Sequence, residues 1–197
     1  MTKLFYIMGK SATGKDTIYK KIKEKIEINS YVSYTTRPIR SGEKDGIDYN
    51  FISFDEVSKY ENENNVIESR TYQTVHGPWI YLTINDEQLS QEGNILTVGT
   101  LESYEKIIDY FKDNKEVKVF PIYICVDEDE RRKRAIAREE KQANPKFEEM
   151  ERRLKADNID FSDENIKRVG ITSEETFFNY NIDECVNEII KYITKEY

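Results

Sequence analysis

The chain has 197 residues and a formal net charge of −8, and 35% of its residues are charged and 38% hydrophobic. This length predicts one globular domain with insertions rather than two independent domains. The acidic balance disfavours a nucleic-acid-binding surface, and no apolar run approaches the ~20 residues that span a bilayer, so neither nucleic acid nor membrane is an expected partner. Without a signal-peptide pattern at the N-terminus, we expect a cytoplasmic protein.

Two rare residue types exclude further classes of chemistry. His76 is the only histidine, which nearly rules out a serine–histidine–aspartate triad and a multi-histidine metal centre. The two cysteines fall in a predicted strand and a predicted helix, and we expect reduced thiols rather than a disulfide or metal site.

The first predicted unit is a strand, a glycine-containing loop and a helix. Residues 4–8 are apolar and β-favouring, and a helix-forming segment begins near Lys15. Between them, Gly9, Gly14 and Lys15 have the G-x-x-x-x-G-K spacing of a P-loop, in which backbone N–H groups surround phosphate oxygens and the lysine reaches the outer phosphates. An ordinary strand-to-helix turn with a surface lysine is the alternative interpretation. The ATP-binding residues that we predict here are Gly9, Ser11, Ala12, Thr13, Gly14, Lys15, Asp16 and Thr17.

Position 16 departs from the P-loop pattern. Asp16 stands where serine or threonine usually gives a hydroxyl to Mg²⁺, and Thr17 follows it. Asp16 could bind the ion directly or through water, or leave that role to Thr17. The sequence therefore predicts a magnesium site at Asp16 and Thr17 without deciding between them.

The segment after the first helix carries candidate phosphate ligands. Isoleucines at four-residue spacing predict that helix to about Ile28, and β-rich runs at residues 31–34 and 47–52 flank a segment with turn residues. Arg37 and Arg40 lie in this segment among hydroxyl side chains, a donor set suited to a phosphate monoester. A solvated charged loop is the alternative.

The same segment, SYTTRPIRSGEKDGIDYNFIS from residue 33, resembles the GMP-binding segment of guanylate kinases. The family pattern S-x-T-T-R-x-x-R-x-G-E-x-x-G-x-x-Y-x-F is matched in order by Ser33, Thr35, Thr36, Arg37, Arg40, Gly42, Glu43, Gly46, Tyr49 and Phe51. The resemblance implies that the GMP phosphate is contacted by Ser33, Arg37, Arg40 and Tyr49.

The resemblance also implies a residue that reads the acceptor base. In the family a carboxylate that follows the next helix recognises guanine, and Glu68, after a predicted helix at residues 54–62, is the similar position. A carboxylate can accept hydrogen bonds from N1–H and the 2-amino group of guanine, a donor pair that adenine lacks. A strand-surface glutamate is the alternative.

Two later stretches depart from the family. Guanylate kinases have a G-x-Y-Y-G-like element where this chain has HGPWIY at residues 76–81. Tyr81 is the counterpart that we assign to the phosphate-binding tyrosine, and His76 and Trp79 either line the substrate pocket or pack.

The second departure follows a predicted buried strand at residues 94–99. Thr100, which we include among the substrate-binding positions, stands where the family has an acidic residue that helps to position guanine and magnesium. Glu102 or Asp16 would have to supply that charge.

The basic helical run at residues 130–139 follows the strongest buried-strand signal, residues 117–126, in which Pro121 indicates an edge or a local irregularity. Taken alone the run predicts a solvated helix with Glu–Arg pairs. The resemblance instead implies a mobile lid over residues 127–157 that closes over the transferring phosphoryl group. The lid arginines implied to contact phosphate are Arg134, Arg138 and Arg153, with Arg131 and Arg152 as further candidates.

Strands alternating with helices predict an α/β fold, a P-loop NTPase-like parallel sheet flanked by helices. We expect a core formed by residues 1–32, 85–126 and 158–197, a mixed or antiparallel monophosphate-binding region at 33–84, and the helical lid at 127–157.

The resemblance implies a nucleoside monophosphate kinase that transfers a phosphoryl group from ATP to GMP, with Lys15 and the lid arginines as catalytic residues and Mg²⁺ as cofactor. Oligomeric state stays open between monomer and homodimer. Two alternatives remain: a kinase for another monophosphate, such as a deoxynucleotide or a phosphorylated ribose, and a non-catalytic guanylate kinase-like binding module. The retained P-loop and lid arginines disfavour the module.

Overall fold

The computed structural model describes residues 1–74 and 77–195. The strands are β1 (Thr2–Met8), β2 (Asn29–Ser30), β3 (Tyr34–Thr35), β4 (Asn50–Phe51), β5 (Val66–Thr74), β6 (Gly77–Ile84), β7 (Gly93–Val98), β8 (Val117–Cys125) and β9 (Thr176–Phe178). The helices are α1 (Lys15–Lys25), α2 (Phe54–Asn62), α3 (Leu101–Phe111), α4 (Glu128–Glu139), α5 (Phe147–Asp160), α6 (Asp163–Arg168) and α7 (Ile182–Thr194).

A five-stranded sheet has the order β2-β7-β1-β8-β9. β2 pairs with β7, and β8 with β9, in parallel. The apolar run at residues 4–8 of β1 is at most 3% exposed, as an interior strand of such a sheet requires. The predicted α/β fold with a mostly parallel central sheet is confirmed.

A four-stranded sheet of order β4-β3-β6-β5 is mixed, because β3 and β4 are parallel whereas β6 is antiparallel to both β3 and β5. The predicted runs at 31–34 and 47–52 yield only the two-residue strands β3 and β4. Side chains take over the backbone hydrogen bonds next to them: Gln88 Oε1 accepts from Val32 N–H at 2.8 Å, and Asn50 Nδ2 donates to the Val32 carbonyl at 2.8 Å.

The chain divides into two compact units. The first comprises Met1–Leu4, Asn29–Thr97 and Ser103–Val119, and the second Phe5–Ile28, Val98–Glu102 and Phe120–Tyr197. In the first, Val57, Leu82 and Ile84 form a buried cluster. In the second, Ala135, Met150 and Leu154 join α4 to α5.

Two local predictions need correction. The helix expected to reach Ile28 ends at Lys25, because Ile26 is already extended with φ −136°. β8 is an interior strand, so the edge position suggested by Pro121 is wrong for the strand as a whole. β9 pairs only with Tyr123–Cys125, so the missing N–H of Pro121 lies outside that pairing.

Both cysteines, Cys125 and Cys185, are free thiols, as predicted. Burial raises the pKa of the Cys185 thiol to about 12. Within the described parts of the chain, no helix has the length and apolar character that crossing a bilayer requires.

Candidate active site

The P-loop lies in the second unit, between the end of β1 and the start of α1. Two of its glycines have positive φ, 152° at Gly9 and 94° at Gly14. A Cβ at Gly9 would lie 2.4 Å from the Ile124 carbonyl oxygen, and one at Gly14 would lie 2.5 Å from Asn179 Nδ2. Glycine is therefore required at both positions by backbone conformation and by space.

Lys15 folds back onto the loop that precedes it. Its Nζ donates to the carbonyl oxygens of Gly9 at 2.7 Å and Lys10 at 3.0 Å. Burial lowers the pKa of Lys15, with Asp16 and Asp157 acting in the opposite direction. The ammonium group is thus held at the loop by weak neutral acceptors, which phosphate oxygens can replace with stronger, charge-assisted hydrogen bonds.

Asp16 and Thr17 are exposed in the first turn of α1. Their carboxylate and hydroxyl oxygens are the hard donors that Mg²⁺ prefers. Across residues 1–74 and 77–195, no three histidine, cysteine or acidic side chains converge on a metal position. The donor set fits a Mg²⁺ ion that takes one or two protein oxygens and the rest from phosphate and water.

A residue that sequence reasoning did not find, Asn179, braces the P-loop from the end of β9. It is 3% exposed, and its Nδ2 donates to the Thr13 carbonyl oxygen at 2.8 Å. Its backbone N–H bonds to Cys125 O at 2.9 Å. No local pattern identifies Asn179, because its partners Thr13, Cys125 and Arg134 lie 45 or more positions away along the chain.

Arg131 is a buried structural residue rather than an open phosphate ligand. Its side chain is 0% exposed and forms ion pairs with Glu128 and, at 2.9 Å, with Asp157. The same Asp157 carboxylate accepts from the Ser11 N–H of the P-loop at 2.8 Å. Arg131 and Asp157 therefore join α4, α5 and the P-loop.

The other lid arginines differ in what they contact. Arg134 is engaged by Glu130 at 2.9 Å and by the Asn179 carbonyl oxygen at 2.9 Å. Arg138 and Arg153 are exposed and border one depression together with Ser11. The structure thus brings Arg138 and Arg153 beside Ser11 of the P-loop, while Arg134 is bonded to Asn179, the residue that braces that loop.

Glu139 at the end of α4 and Glu149 in the first turn of α5 lie on either side of the connection between these helices. Glu139, 3% exposed, accepts from the backbone N–H of Lys146, the residue directly before α5, at 2.6 Å. Glu149 accepts from Arg152 at 2.7 Å and from Arg153 at 3.1 Å. The Arg152 hydrogen bond is the main reason that the pKa of Glu149 is lowered to about 2.

The predicted monophosphate ligands lie in the first unit, where Arg37 is held on three sides. Its guanidinium makes a two-pronged ion pair with Glu43, at 2.8 and 3.0 Å, and also donates to the Pro38 carbonyl oxygen. It lies 5.4 Å from the Tyr49 ring centroid and 5.5 Å from that of Phe51. The Arg37 hydrogen bond lowers the pKa of Glu43, with the Arg40 backbone N–H assisting.

The other residues predicted to bind the acceptor phosphate differ in their exposure and in their position relative to Arg37. Tyr81 packs edge-on against Tyr49 with centroids 5.7 Å apart, so the sequence counterpart chosen for the phosphate-binding tyrosine lies in this cluster. Arg40 is exposed, and Ser33 is half-buried beside the strand pair β3–β4. Trp79 is the third residue of β6, and His76 lies outside the described residues.

Glu68 is buried on β5 and already paired. Its carboxylate accepts from Thr83 Oγ1 at 2.8 Å and from Arg70 Nε and Nη2 at 3.0 and 3.3 Å. The alternative of an exposed strand glutamate is therefore wrong. Arg70 is the second residue that sequence reasoning missed, although its place two positions along the same strand could have signalled a shared face.

Thr100 lies in the second unit, directly before α3, where a threonine hydroxyl can cap a helix. Glu102 and Asp16, the two acidic residues considered as replacements for the family carboxylate, are both exposed in first turns of helices. Both carboxylates belong to the second unit, whereas the Arg37 cluster belongs to the first.

Comparison with known proteins places this geometry in a family. The sequence model described as guanylate kinase matches residues 1–163. A guanylate kinase from Zymomonas mobilis is 28% identical over 209 residues, covering 98% of this chain and 83% of that protein. One from Porphyromonas gingivalis is 26% identical, covering 99% of this chain and 98% of that protein.

A solved structure agrees at the level of the fold. The crystal structure of guanylate kinase from Anaplasma phagocytophilum has a TM-score of 0.61 and 21% identity, covering 98% of this chain and 87% of that chain. With the P-loop and the Arg37 cluster both built in one chain, and with the family match extending over most of its length, the protein belongs to the guanylate kinase family.

Proposed function

We propose that this chain is an ATP-dependent nucleoside monophosphate kinase that converts GMP to GDP. One observation supports the proposal most strongly: this member of the guanylate kinase family has two separate groups of residues that are suited to binding phosphate. The P-loop with Lys15 suits a triphosphate, and the buried Arg37 with its tyrosine neighbours suits a single phosphate group.

The donor side of the reaction rests on the P-loop. Backbone N–H groups of residues 9–17 and the start of α1 surround the ATP phosphates, and the Lys15 ammonium group leaves its two loop carbonyls for the outer phosphates. Asp16 and Thr17 would hold Mg²⁺, which when bound neutralises charge on the phosphate oxygens.

The acceptor side rests on side chains. Arg37 and Arg40, with the hydroxyls of Ser33, Tyr49 and Tyr81, bind the GMP phosphate, and Glu68 is the position proposed to face the base. The acceptor phosphate is already an anion, so the reaction needs no side-chain base.

The lid arginines supply the positive charge that stabilises the transition state. Arg134, Arg138 and Arg153 neutralise the charge that develops on the transferring phosphoryl group, and closure of residues 127–157 excludes water. For Arg134 this requires exchange of Glu130 and Asn179 O for phosphate oxygens. Catalysis in this scheme comes from positioning and electrostatics.

Residues 1–32, 85–126 and 158–197 form the core, 33–84 the monophosphate-binding region and 127–157 the lid. The protein works in the cytoplasm with ATP and GMP, as a monomer or a homodimer, without nucleic acid or membrane partners.

A coupled ATP-consumption assay tests the proposal. The acceptors are GMP, dGMP, AMP, CMP, UMP, dTMP and ribose phosphates, with and without Mg²⁺. We expect ATP consumption with GMP and the largest kcat/KM for GMP within this panel. Turnover of no monophosphate, with binding of a phosphopeptide instead, would favour the non-catalytic module; equal use of all acceptors would contradict guanine recognition while leaving kinase chemistry intact.

A further inference from the structure

Arg70 and Glu68 form a buried pair on one face of β5. They are two residues apart on the strand, so their side chains project to the same side. The Arg70 side chain is 10% exposed and that of Glu68 0%. Because the pair is almost fully removed from solvent, water cannot take the place of a hydrogen-bond partner lost from Glu68.

The pair belongs to the same cluster as the proposed phosphate ligands. In the β5–β6 register, Arg70 stands opposite Tyr81 and Glu68 stands opposite Thr83. The Arg70 guanidinium lies 6.0 Å from the Tyr81 ring centroid, and Tyr81 packs on Tyr49. The carboxylate proposed to read the base and the tyrosines proposed to bind the phosphate are thus neighbours within the first unit.

The hydrogen-bonding capacity of Glu68 is largely used. A carboxylate offers about four acceptor sites. Within residues 1–74 and 77–195, Thr83 Oγ1, Arg70 Nε and Arg70 Nη2 fill three of them. Guanine presents two donors on this edge, N1–H and the 2-amino group, whereas hypoxanthine presents N1–H alone. One remaining site can serve only one of these donors.

We propose that Arg70 sets the acceptor specificity of this enzyme by restricting Glu68 to a single base hydrogen bond. The site then accepts 6-oxopurine monophosphates with and without the 2-amino group, so GMP and IMP are used with similar efficiency. Adenine stays disfavoured because its unprotonated N1 faces the carboxylate with a lone pair. Arg70 acts through Glu68 and is a positioning residue; the inference rests on the proposed kinase function.

The test compares GMP with IMP in the wild-type protein and in two variants. Arg70→Lys keeps the positive charge but replaces the planar fork by a point charge, which releases an acceptor site on Glu68. Arg70→Met removes both hydrogen bonds and the positive charge and leaves a shorter, unbranched apolar side chain. Since a hydrogen bond to a charged group is worth about tenfold or more in affinity, we expect a wild-type GMP:IMP ratio of kcat/KM within about tenfold and a ratio about tenfold higher in both variants.

Lys59→Met is the matched control. It removes a positive charge from the same unit at an exposed position on α2, where Lys59 pairs with Glu63 at 4.0 Å, and should leave the ratio unchanged. A purely structural role of Arg70 would lower the melting temperature of the variants without moving the ratio. If Arg70→Met fails to fold, the wild-type and Arg70→Lys ratios still decide.

A wild-type preference for GMP over IMP above about 100-fold would overturn the inference, as would folded Arg70 variants with an unchanged ratio. Equilibrium binding of GMP and IMP gives the same comparison without turnover. Binding of both nucleotides with no phosphoryl transfer to either would contradict the proposed function and leave the specificity inference standing.

Discussion

The P-loop and the Arg37 cluster are both suited to phosphate, but they are built from different parts of the polypeptide. In the P-loop the backbone forms the site, through two glycines with positive φ and through Lys15 resting on loop carbonyls. Around Arg37 side chains hold one another, with Glu43 fixing the guanidinium and two aromatic rings supporting it. A backbone-built site is sensitive to added bulk, whereas a side-chain-built site is sensitive to the loss of a partner.

The largest expected effect concerns Lys15. Lys15→Ala should lower kcat by at least about a thousandfold, because it removes the side chain that we propose to contact the outer phosphates, where charge develops. The fold should survive, since the Lys15 Nζ bonds to two carbonyl oxygens of its own loop and joins no other element of the fold. Coupled turnover and circular dichroism measure the two quantities; near-wild-type turnover would refute the assigned role.

Substitution of Glu43 tests whether the Arg37 cluster depends on the partner of its guanidinium. Both Arg37→Ala and Glu43→Gln should raise the KM for GMP, by about 10- to 100-fold, because the first removes the proposed charge-assisted contact to phosphate and the second releases the buried guanidinium. The KM for ATP should stay within about twofold in both, as expected for interactions confined to the acceptor cluster.

Arg40→Ala is the matched comparison for that pair. Arg40 is exposed and lies three positions from Arg37, so its loss should raise the KM for GMP without lowering the melting temperature. If Glu43→Gln behaves like wild type, the cluster does not depend on the Arg37–Glu43 pair and the contrast with the P-loop fails.

Space around the P-loop is tested by glycine substitutions. Gly14 and Gly170 have φ of 94° and 77°, but a Cβ at Gly14 would meet Asn179 Nδ2 at 2.5 Å and one at Gly170 would meet nothing within 4 Å. Both alanine variants carry the left-handed strain of about 1–2 kcal/mol. Urea unfolding should show a larger loss for Gly14→Ala, together with a raised KM for ATP; equal losses would show that close approach to Asn179 contributes nothing.

The smallest expected effect concerns the exposed lid pairs of Glu149. Its pKa of about 2 lies below the ordinary value because Arg152 donates to it, so its contribution to stability is present above about pH 4.5 and is lost as the pH falls toward 2. Glu149→Gln should lower the free energy of unfolding by less than ~1 kcal/mol at pH 7. The difference should shrink between pH 4 and pH 2; a difference that persists there would contradict the ion-pair origin.

Local sequence was sufficient wherever a contact is short in sequence or a backbone shape needs a particular residue. The helix at 54–62 was predicted to the residue, and Ser53 and Glu56 form a capping box at its start. The P-loop strand, loop and helix were predicted in order, because glycine spacing and hydrophobic periodicity act over a few residues. The assigned roles of the site residues remain predictions.

Long-range partners were not predictable from the sequence. Arg131 shares the helix-like spacing of Arg134 and Arg138, but it is buried against Asp157, twenty-six positions later. The local sequence pattern does not distinguish an arginine that is available to bind phosphate from one that forms a buried ion pair.

The sequence by itself determined the alternation of strands and helices, the P-loop and the acceptor motif, because each depends on neighbours along the chain. The tertiary structure alone decided that Asn179 braces the P-loop, that Asp157 bonds to Ser11 and that the Glu68 carboxylate is shared between Arg70 and Thr83. Those contacts depend on which side chains the folded backbone brings within hydrogen-bonding distance, and burial then fixes how many partners each polar group can keep.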